Sequence, residues 1–121
     1  MLENTEMQEQ EDVTMTVTDY SNQCFTAVLT NHSDLDYMYG NDFSFDFYGD
    51  DWTESEFTKN RAWTAEGLFL PAHESVELEL DLQALGQLEK GRYRIRKTIS
   101  TDYLVDGKYL FYTVTAEFEL N

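Results

Sequence analysis

The sequence predicts an all-β fold: an antiparallel sandwich of about seven strands arranged in two sheets. Apolar residues recur at every second position through most of the chain, which is the period of a strand with one buried face. Turn-forming residues separate these runs roughly every 8–15 residues, and no window of about eleven residues has a helical period. In a chain of 121 residues, this pattern is typical of one antiparallel domain rather than helices packed on a parallel sheet.

The first half of the chain contains three alternating runs. Residues 13–18 and 25–30 place apolar side chains on one face and mainly threonine on the other. Residues 43–47 place three phenylalanines on the predicted core face and leave Ser44 and Asp46 on the opposite face. Residues 53–69 lack a regular period and are predicted to be a loop with short irregular pieces. The three phenylalanines are Phe43, Phe45 and Phe47.

The second half has the clearest alternation. Residues 76–80 alternate apolar with acidic side chains, which predicts a strand with one wet face. Residues 83–88 are predicted to form one helical turn, and Asp106-Gly107 is a strong signal for a hairpin turn. The strands on either side of that turn bury two further sets, namely Tyr93, Ile95 and Ile99 before it and Leu110, Tyr112, Val114, Ala116, Phe118 and Leu120 after it.

The acidic composition narrows the range of partners. The chain has 24 acidic and 8 basic residues, a net charge of −16. A field of this sign repels nucleic-acid backbones and anionic membrane surfaces, so we expect neither nucleic-acid binding nor membrane insertion by this segment. Three interpretations of the charge remain: a coat that keeps the protein soluble, a cation site, or a surface that attracts a basic partner.

The first eleven residues differ in composition from the rest of the sequence. Residues 1–11 are rich in Glu and Gln, so we expect a flexible polar leader before a domain that covers residues 12–121. The leader lacks the charged and apolar regions of a signal peptide. An exported protein without its signal and a cytoplasmic protein both fit this sequence. The single cysteine, Cys24, excludes an internal disulfide and a cysteine-rich zinc site.

The segment from Leu88 to Tyr93 has the pattern of a tyrosine corner. A tyrosine that enters a late strand just after a glycine turn, here Gly91, buries its ring and directs its hydroxyl to the upstream backbone. Such a corner is typical of immunoglobulin-like sandwiches.

Several short motifs, in this order and spacing, resemble a known family. They are Val13–Thr18, Leu29–Asp34, Gly40 with the phenylalanine-rich strand, Gly49–Trp52, Leu70–Ser75, Leu88–Lys97 and Ala116–Leu120. Together they resemble the bacterial immunoglobulin-like domains of Firmicutes lipoproteins, surface proteins and some membrane metallopeptidases. The resemblance implies an immunoglobulin-like antiparallel β-sandwich in which Tyr93, Gly91, Leu88 and Trp52 are structural. It also implies an accessory or adhesive module without shared catalytic residues. The chain departs from the family at Ala72-His73, where Pro-Gly is usual.

The densest acidic stretch is a candidate calcium site. Carboxylate oxygens are the ligands that Ca²⁺ prefers, and we single out four of them, Asp46, Asp50, Asp51 and Glu54. The stretch lacks the regular spacing of an EF-hand loop. The alternative is a solvated acidic rim without a bound ion.

Two further groups are candidates for a partner surface. Arg92, Arg94 and Arg96 project from one face of a strand, where they bind an acidic partner or pair across strands with Glu117 and Glu119. In the alternation of its strand, Lys97 falls on the same face as the inward-facing Ile95. Because a lysine is charged, we expect it near a sheet edge or after a bulge. The aromatic candidates for a carbohydrate or peptide platform are Tyr37 and Tyr39, with Tyr48 and Trp52.

The sequence predicts no enzyme, no catalytic residue and no cofactor. Cys24 with His32 or His73 is the only pairing of a nucleophile with a base for thiol chemistry, and no basic neighbour or helix N-terminus lowers the pKa of Cys24. We expect a non-enzymatic interaction or spacer module, the soluble domain of a bacterial cell-envelope protein or lipoprotein, at the envelope or outside the cell. The alternatives are a proteinase-inhibitor-like domain and an acidic decoy for a basic protein. An unidentified protein partner is expected, and an edge strand allows a weak homodimer.

Overall fold

The computed structural model describes residues 2–5, 12–21, 24–59 and 67–121. These residues form two antiparallel sheets that pack face to face. In chain order the strands are β1 (Leu2–Thr5), β2 (Val13–Ser21), β3 (Cys24–Asn31), β4 (Tyr37–Tyr39), β5 (Ser44–Tyr48), β6 (Trp52–Glu54), β7 (Leu68–Leu70), β8 (Ser75–Asp81), β9 (Gly91–Thr101) and β10 (Phe111–Leu120). A one-turn helix, α1 (Glu56–Lys59), follows β6, and a 3₁₀ turn (Gln83–Leu85) follows β8.

The smaller sheet has three strands in the order β2-β3-β8. Alternation decides its faces: Val13, Met15 and Val17 of β2 are buried, and threonines lie between them. The same holds in β3, where every second residue from Phe25 to Asn31 is buried. The predicted alternation of both strands is confirmed.

The larger sheet is built around the long strand β9. Its central order is β1-β10-β9-β4-β7, and β5 with its partner β6 joins on the same side of β9 as β4. The first half of β9 pairs with β5, and the second half pairs with β4. Residues 40–43 connect these two strands opposite Lys97 and Thr98, so the chain beside β9 is broken at its centre.

The core lies between the two sheets and is aromatic at its centre. The rings of Phe25, Phe45 and Phe118 contact one another, and Tyr93 stacks on Phe45 with the ring centroids 5.3 Å apart. Phe25 belongs to the small sheet, so these contacts join the two layers. Full burial of such a side chain stabilises the fold by about 1.5–3 kcal/mol.

The two-sheet sandwich predicted from sequence is confirmed, although the described residues hold ten strands rather than about seven. The additional strands include β4, β6 and β7, each of three residues. A run of that length is too short to show an alternation. The predicted loop over 53–69 includes parts of β6, α1 and β7, and its residues 60–66 lie outside the described part of the chain.

Two local predictions are confirmed at turns. Asp106 and Gly107 both have positive φ, at 52° and 80°, and Val105 pairs with Lys108 across them. This is the geometry that favours Asp-Gly in a tight hairpin. The predicted helical turn after β8 is the 3₁₀ turn. His73 has a φ of 63°, a conformation that glycine adopts without strain, at the place where the family usually has glycine.

The polar leader was not expected to contain a strand. The structure pairs β1 with β10 from Leu2↔Leu120 to Thr5↔Glu117, while Met1 and residues 6–11 lie outside the described part. A sheet edge offers unpaired backbone N–H and C=O groups, so main-chain pairing here needs no hydrophobic alternation. The boundary between leader and domain at residue 12 stays a prediction.

The predicted burial is wrong at four residues. Phe43 and Phe45 are buried, but Phe47 is 44% exposed, because the second layer does not cover the end of β5. Asp46, expected on the wet face, is 1% exposed. Leu110 and Tyr112 are each 37% exposed, so the buried face of β10 begins only at Val114.

Candidate interaction surfaces

Tyr93 forms the corner at the start of β9. Its hydroxyl donates a hydrogen bond to the Glu89 carbonyl at 2.7 Å, the contact expected of a tyrosine corner. Burial of the ring raises the pKa of Tyr93, and the nearby Glu89 adds to the shift. Gly91 has a φ of 153°, which L side chains rarely adopt, and Leu88 packs against the core. The corner therefore fixes the crossing of the chain from the 3₁₀ turn into β9.

The arginines of β9 are held by carboxylates on both sides of the strand. Arg94 Nε donates to Asp46 Oδ2, and Arg96 Nε donates to the same oxygen at 2.7 Å. Arg92 Nη2 donates to Glu117 Oε1 at 2.6 Å. The predicted pairing with Glu117 and Glu119 is therefore wrong for Arg94 and Arg96. On the β10 side, Arg96 lies opposite Thr115, and Glu117, although opposite Arg94, accepts from Arg92 instead. On the other side of β9, β5 places Asp46 directly opposite Arg94.

Trp52 covers this group of ions. The Arg94 guanidinium carbon lies 4.4 Å from the Trp52 ring centroid, and that of Arg92 lies 5.6 Å from it. Tyr48 meets the Trp52 ring edge-on, with centroids 5.1 Å apart. Because of these cation–π contacts, the guanidinium groups of Arg92 and Arg94 are already engaged and are less available to an acidic partner. The arrangement supports the sheet locally and leaves Arg92 the most exposed of the three.

The four candidate calcium ligands do not converge. Asp46 is engaged by Arg94 and Arg96, while Asp50 and Asp51 are exposed in the turn after β5. Glu54 Oε2 accepts a hydrogen bond from Thr58 at 3.0 Å. Within the described residues, no group of three His, Cys, Asp or Glu side chains is placed to hold a metal ion. In the same residues, no helix has the length and hydrophobicity to cross a membrane.

Two of the tyrosines predicted to form an exposed aromatic platform, Tyr37 and Tyr39, are buried or half-buried. Tyr37 is 4% exposed, beneath an edge-on contact with the partly exposed ring of Tyr112, so the prediction of Tyr37 as a surface residue is wrong. The reason is parity: Tyr37 pairs with Leu70 and Thr101, which are both buried on the inner face. Tyr39 is half-buried, and burial raises its pKa.

Lys97 lies inside the sandwich, in the middle of the larger sheet. It is 2% exposed, and its Nζ donates to the carbonyls of Gly40 and Asp42 at 2.8 and 2.7 Å. The prediction of a sheet edge or a bulge is wrong, because β9 pairs in unbroken register with β10. The break between β4 and β5 supplies the free carbonyls instead. Burial lowers the pKa of Lys97 from 10.5 to about 8, and the Asp42 carboxylate opposes the shift.

The connection between β9 and β10 carries an exposed surface that the sequence analysis did not identify. Six large apolar side chains are more than a third exposed within ten residues. We call this set the hairpin surface: Tyr103, Leu104, Tyr109, Leu110, Phe111 and Tyr112. Phe111 is 69% exposed and Leu104 is 59% exposed. The sequence predicted this turn, but it treated Leu110 and Tyr112 as core.

The hairpin surface has a defined shape because its backbone is hydrogen-bonded. Val105 and Lys108 exchange two backbone hydrogen bonds, of 2.7 and 3.1 Å. At the base, the buried Thr101 hydroxyl donates to the Tyr103 carbonyl and accepts from the Leu110 N–H. A loop held in this way loses little conformational entropy when a partner binds.

Exposed carboxylates lie on the loop next to the hairpin surface and at the hairpin tip. Tyr37 pairs with Thr101, which brings the loop of residues 32–36 beside the hairpin base. That loop contributes the exposed Asp34, Leu35 and Asp36, and Asp106 lies at the hairpin tip. Asp34 is bonded to His73 at 2.6 Å, and Asp36 accepts the Ala72 N–H, so the loop is tied to the turn before β8. This end of the sandwich therefore carries exposed apolar side chains and exposed carboxylates, with Lys108 as an exposed basic residue of the hairpin.

The nucleophile–base pairings weighed from sequence are not assembled. Cys24 begins β3 and His32 follows its last residue, so they are about 25 Å apart along the strand. His73 is bonded to Asp34 at the same end as His32. Burial raises the pKa of the Cys24 thiol, and the charges of Asp81, Glu79 and Asp19 raise it further. A thiol of this kind is a poor nucleophile.

Comparison with known proteins supports the architecture. No curated protein and no solved structure matches the chain. A family model described as a bacterial Ig-like domain matches residues 7–119, which is nearly the whole sequence. This match agrees with the two antiparallel sheets. The chain therefore belongs to the bacterial Ig-like domain family.

Proposed function

We propose that this Ig-like domain is a protein-binding module of a bacterial cell-envelope protein, and that its partner docks on the hairpin surface. The observation that carries the proposal is the exposure of six large apolar side chains within ten residues. Aromatic residues are enriched where proteins bind one another, and several large apolar side chains exposed on one short segment commonly mark such a site. Four of the six are aromatic.

The charge of the chain favours a protein over a membrane or a nucleic acid. Exposed apolar side chains also suit a lipid surface, but a net charge of −16 and the nearby carboxylates of Asp34, Asp36 and Asp106 oppose approach to anionic lipids and phosphates. A protein with an apolar patch bordered by basic residues complements both features.

The binding test compares a double variant of the hairpin surface with a control variant at an exposed phenylalanine elsewhere. A partner captured on the immobilised domain is identified, purified and titrated against the wild type, L104S/F111S and F47S. Phe47 is 44% exposed but lies on β5, away from the hairpin surface. We expect L104S/F111S to weaken binding by at least about tenfold, because buried anchors dominate interface energies, while F47S binds like the wild type. Equal binding by both variants would refute the proposal.

A proteinase-inhibitor-like role is the second candidate. Leu110 and Tyr112 lie on one face of the hairpin, and Phe111, between them in the chain, projects from the other. Apolar side chains on both faces suit a cleft that surrounds the hairpin better than a flat surface. Inhibition of a panel of bacterial proteinases, lost in L104S/F111S and kept in F47S, would favour this role.

The envelope location is part of the proposal and has its own test. Its support is the resemblance to domains of lipoproteins and surface proteins. Fractionation of the native host, with an antibody against this domain, should find it in the envelope or the medium. Recovery in the cytoplasmic fraction alone would contradict this part of the proposal and leave the binding surface unaffected.

A further inference from the structure

We propose that β8 is a second binding edge, which accepts an extended basic segment of a protein partner as an added strand. In the part of the chain that the structure describes, β8 pairs with β3 on one side only. An edge strand presents a row of backbone N–H and C=O groups, and alternate groups point away from its neighbour. With seven residues, β8 is long enough to pair with a peptide.

The sandwich is less closed at β8 than at β2, the other outer strand of the same sheet. Val13, Met15 and Val17 of β2 are at most 5% exposed. Val76 and Leu78 of β8 have the same inward parity, but they are only partly buried. An added strand with apolar residues at alternate positions would cover them. The inner face of this edge therefore favours valine or isoleucine in the partner.

The outer face of β8 defines the charge of that partner. Glu77, Glu79 and Asp81 are exposed at every second position. In the described structure, no ion pair to Lys, Arg or His neutralises Glu77 or Glu79. A partner strand with lysine or arginine at alternate positions would place a cation opposite each carboxylate. Opposite charges directly across strands stabilise a pair, and like charges destabilise it.

The same carboxylates argue against a second copy of this chain as the occupant. An antiparallel β8–β8 pair centred on Leu78 places Glu77 of each copy opposite Glu79 of the other. Centring the pair on Glu77 or Glu79 places that residue opposite itself. A shift by one residue turns the carboxylates towards the interior. The weak homodimer through an edge strand is therefore disfavoured at β8, whereas a basic strand fits it.

The test uses a synthetic nonapeptide in which lysine and valine alternate, and a control peptide with the same residues but contiguous lysines. Amide chemical shifts of the ¹⁵N-labelled domain are followed during each titration. We expect the alternating peptide to shift the amides of Val76–Leu80 and to slow their hydrogen exchange. The control peptide should leave these exchange rates unchanged.

Two variants separate strand pairing from general attraction. E77K/E79K reverses the charges at the edge, and D50K/E89K makes the same change of net charge at exposed sites elsewhere. We expect E77K/E79K to weaken the alternating peptide by at least about tenfold and D50K/E89K by about twofold at most. If both variants lower the affinity for the alternating peptide equally, the attraction depends only on the net charge of the domain. Failure of the alternating peptide to bind would mean that the carboxylates only protect the edge. Either result would overturn the proposal.

Discussion

Replacing Lys97 by methionine tests the most unusual group in the interior. Lys97 lies in a central strand, is 2% exposed and donates to the carbonyls of Gly40 and Asp42. Methionine has a similar length and no charge, so K97M removes the titration and leaves the space filled. The two carbonyls lose their donor, which costs about 1–3 kcal/mol each if they stay dry.

The informative quantity is how the difference between wild type and K97M changes with pH. The folded-state pKa of Lys97 is about 8, below the ordinary value of 10.5. At pH 7 the unfolded chain therefore binds this proton more strongly, and the charge lowers the free energy of unfolding. As the pH rises past 8, Lys97 loses its proton in the folded protein before it does so in the unfolded chain. The destabilisation caused by burying its charge therefore decreases. From these two pKa values, the contribution of Lys97 to the free energy of unfolding of the wild type rises by about 2 kcal/mol between pH 7 and pH 9.5.

Urea unfolding at several pH values and constant ionic strength measures this gain. We expect the free energy of unfolding of the wild type, minus that of K97M, to rise by about 2 kcal/mol from pH 7 to pH 9.5. K59M is the control, because Lys59 is exposed in α1. If the free energies of unfolding of wild type and K97M instead change in parallel across this range, Lys97 is not desolvated in the folded protein.

Three further predictions concern the corner, the ion group and calcium. Y93F removes the donor to the Glu89 carbonyl and should lower the free energy of unfolding by about 1 kcal/mol in urea titrations, whereas an unchanged value would show that the hydroxyl is dispensable. D46A leaves Arg94 and Arg96 without their shared carboxylate and should lower the free energy of unfolding by about 2–3 kcal/mol in the same assay. The loss is smaller than for a fully buried ion pair because both arginines are partly exposed. Millimolar Ca²⁺ should raise the calorimetric midpoint of the wild type no more than Mg²⁺ at equal ionic strength, and a rise specific to Ca²⁺ would restore the acidic stretch as a site.

The sequence predicted best where one face of a strand is completely covered. The alternation in β2 and β3 could be seen because every second residue contacts the opposite sheet. The tyrosine corner and the Asp106-Gly107 turn were visible because each depends on a few adjacent residues. Such local rules need no knowledge of the neighbouring strands.

The sequence failed where burial depends on a partner distant in the chain. Asp46 is buried by Arg94 and Arg96, about fifty residues later, through the register between β5 and β9. Lys97 is buried because the chain beside β9 breaks at residues 40–43 and exposes two carbonyls to it. Neither register nor break can be read from the pattern of either segment alone.

The hairpin surface was missed for a related reason. Periodicity identifies apolar residues but does not show where the opposite layer ends. The alternation of β10 continues back to Leu110, yet burial begins only at Val114, because the three-stranded sheet does not extend over the hairpin. An apolar run that extends past the predicted core is the signal that could have indicated an interface.

Site-specific photocrosslinking in the native host shows whether a protein partner contacts the hairpin surface. A photoreactive residue is placed at Tyr109, within the hairpin surface, or at Asp50, an exposed control position in the turn after β5. We expect a discrete adduct with one protein from position 109, absent from position 50 and lost when L104S/F111S is added. An adduct that forms equally from both positions, or that survives L104S/F111S, would contradict this expectation.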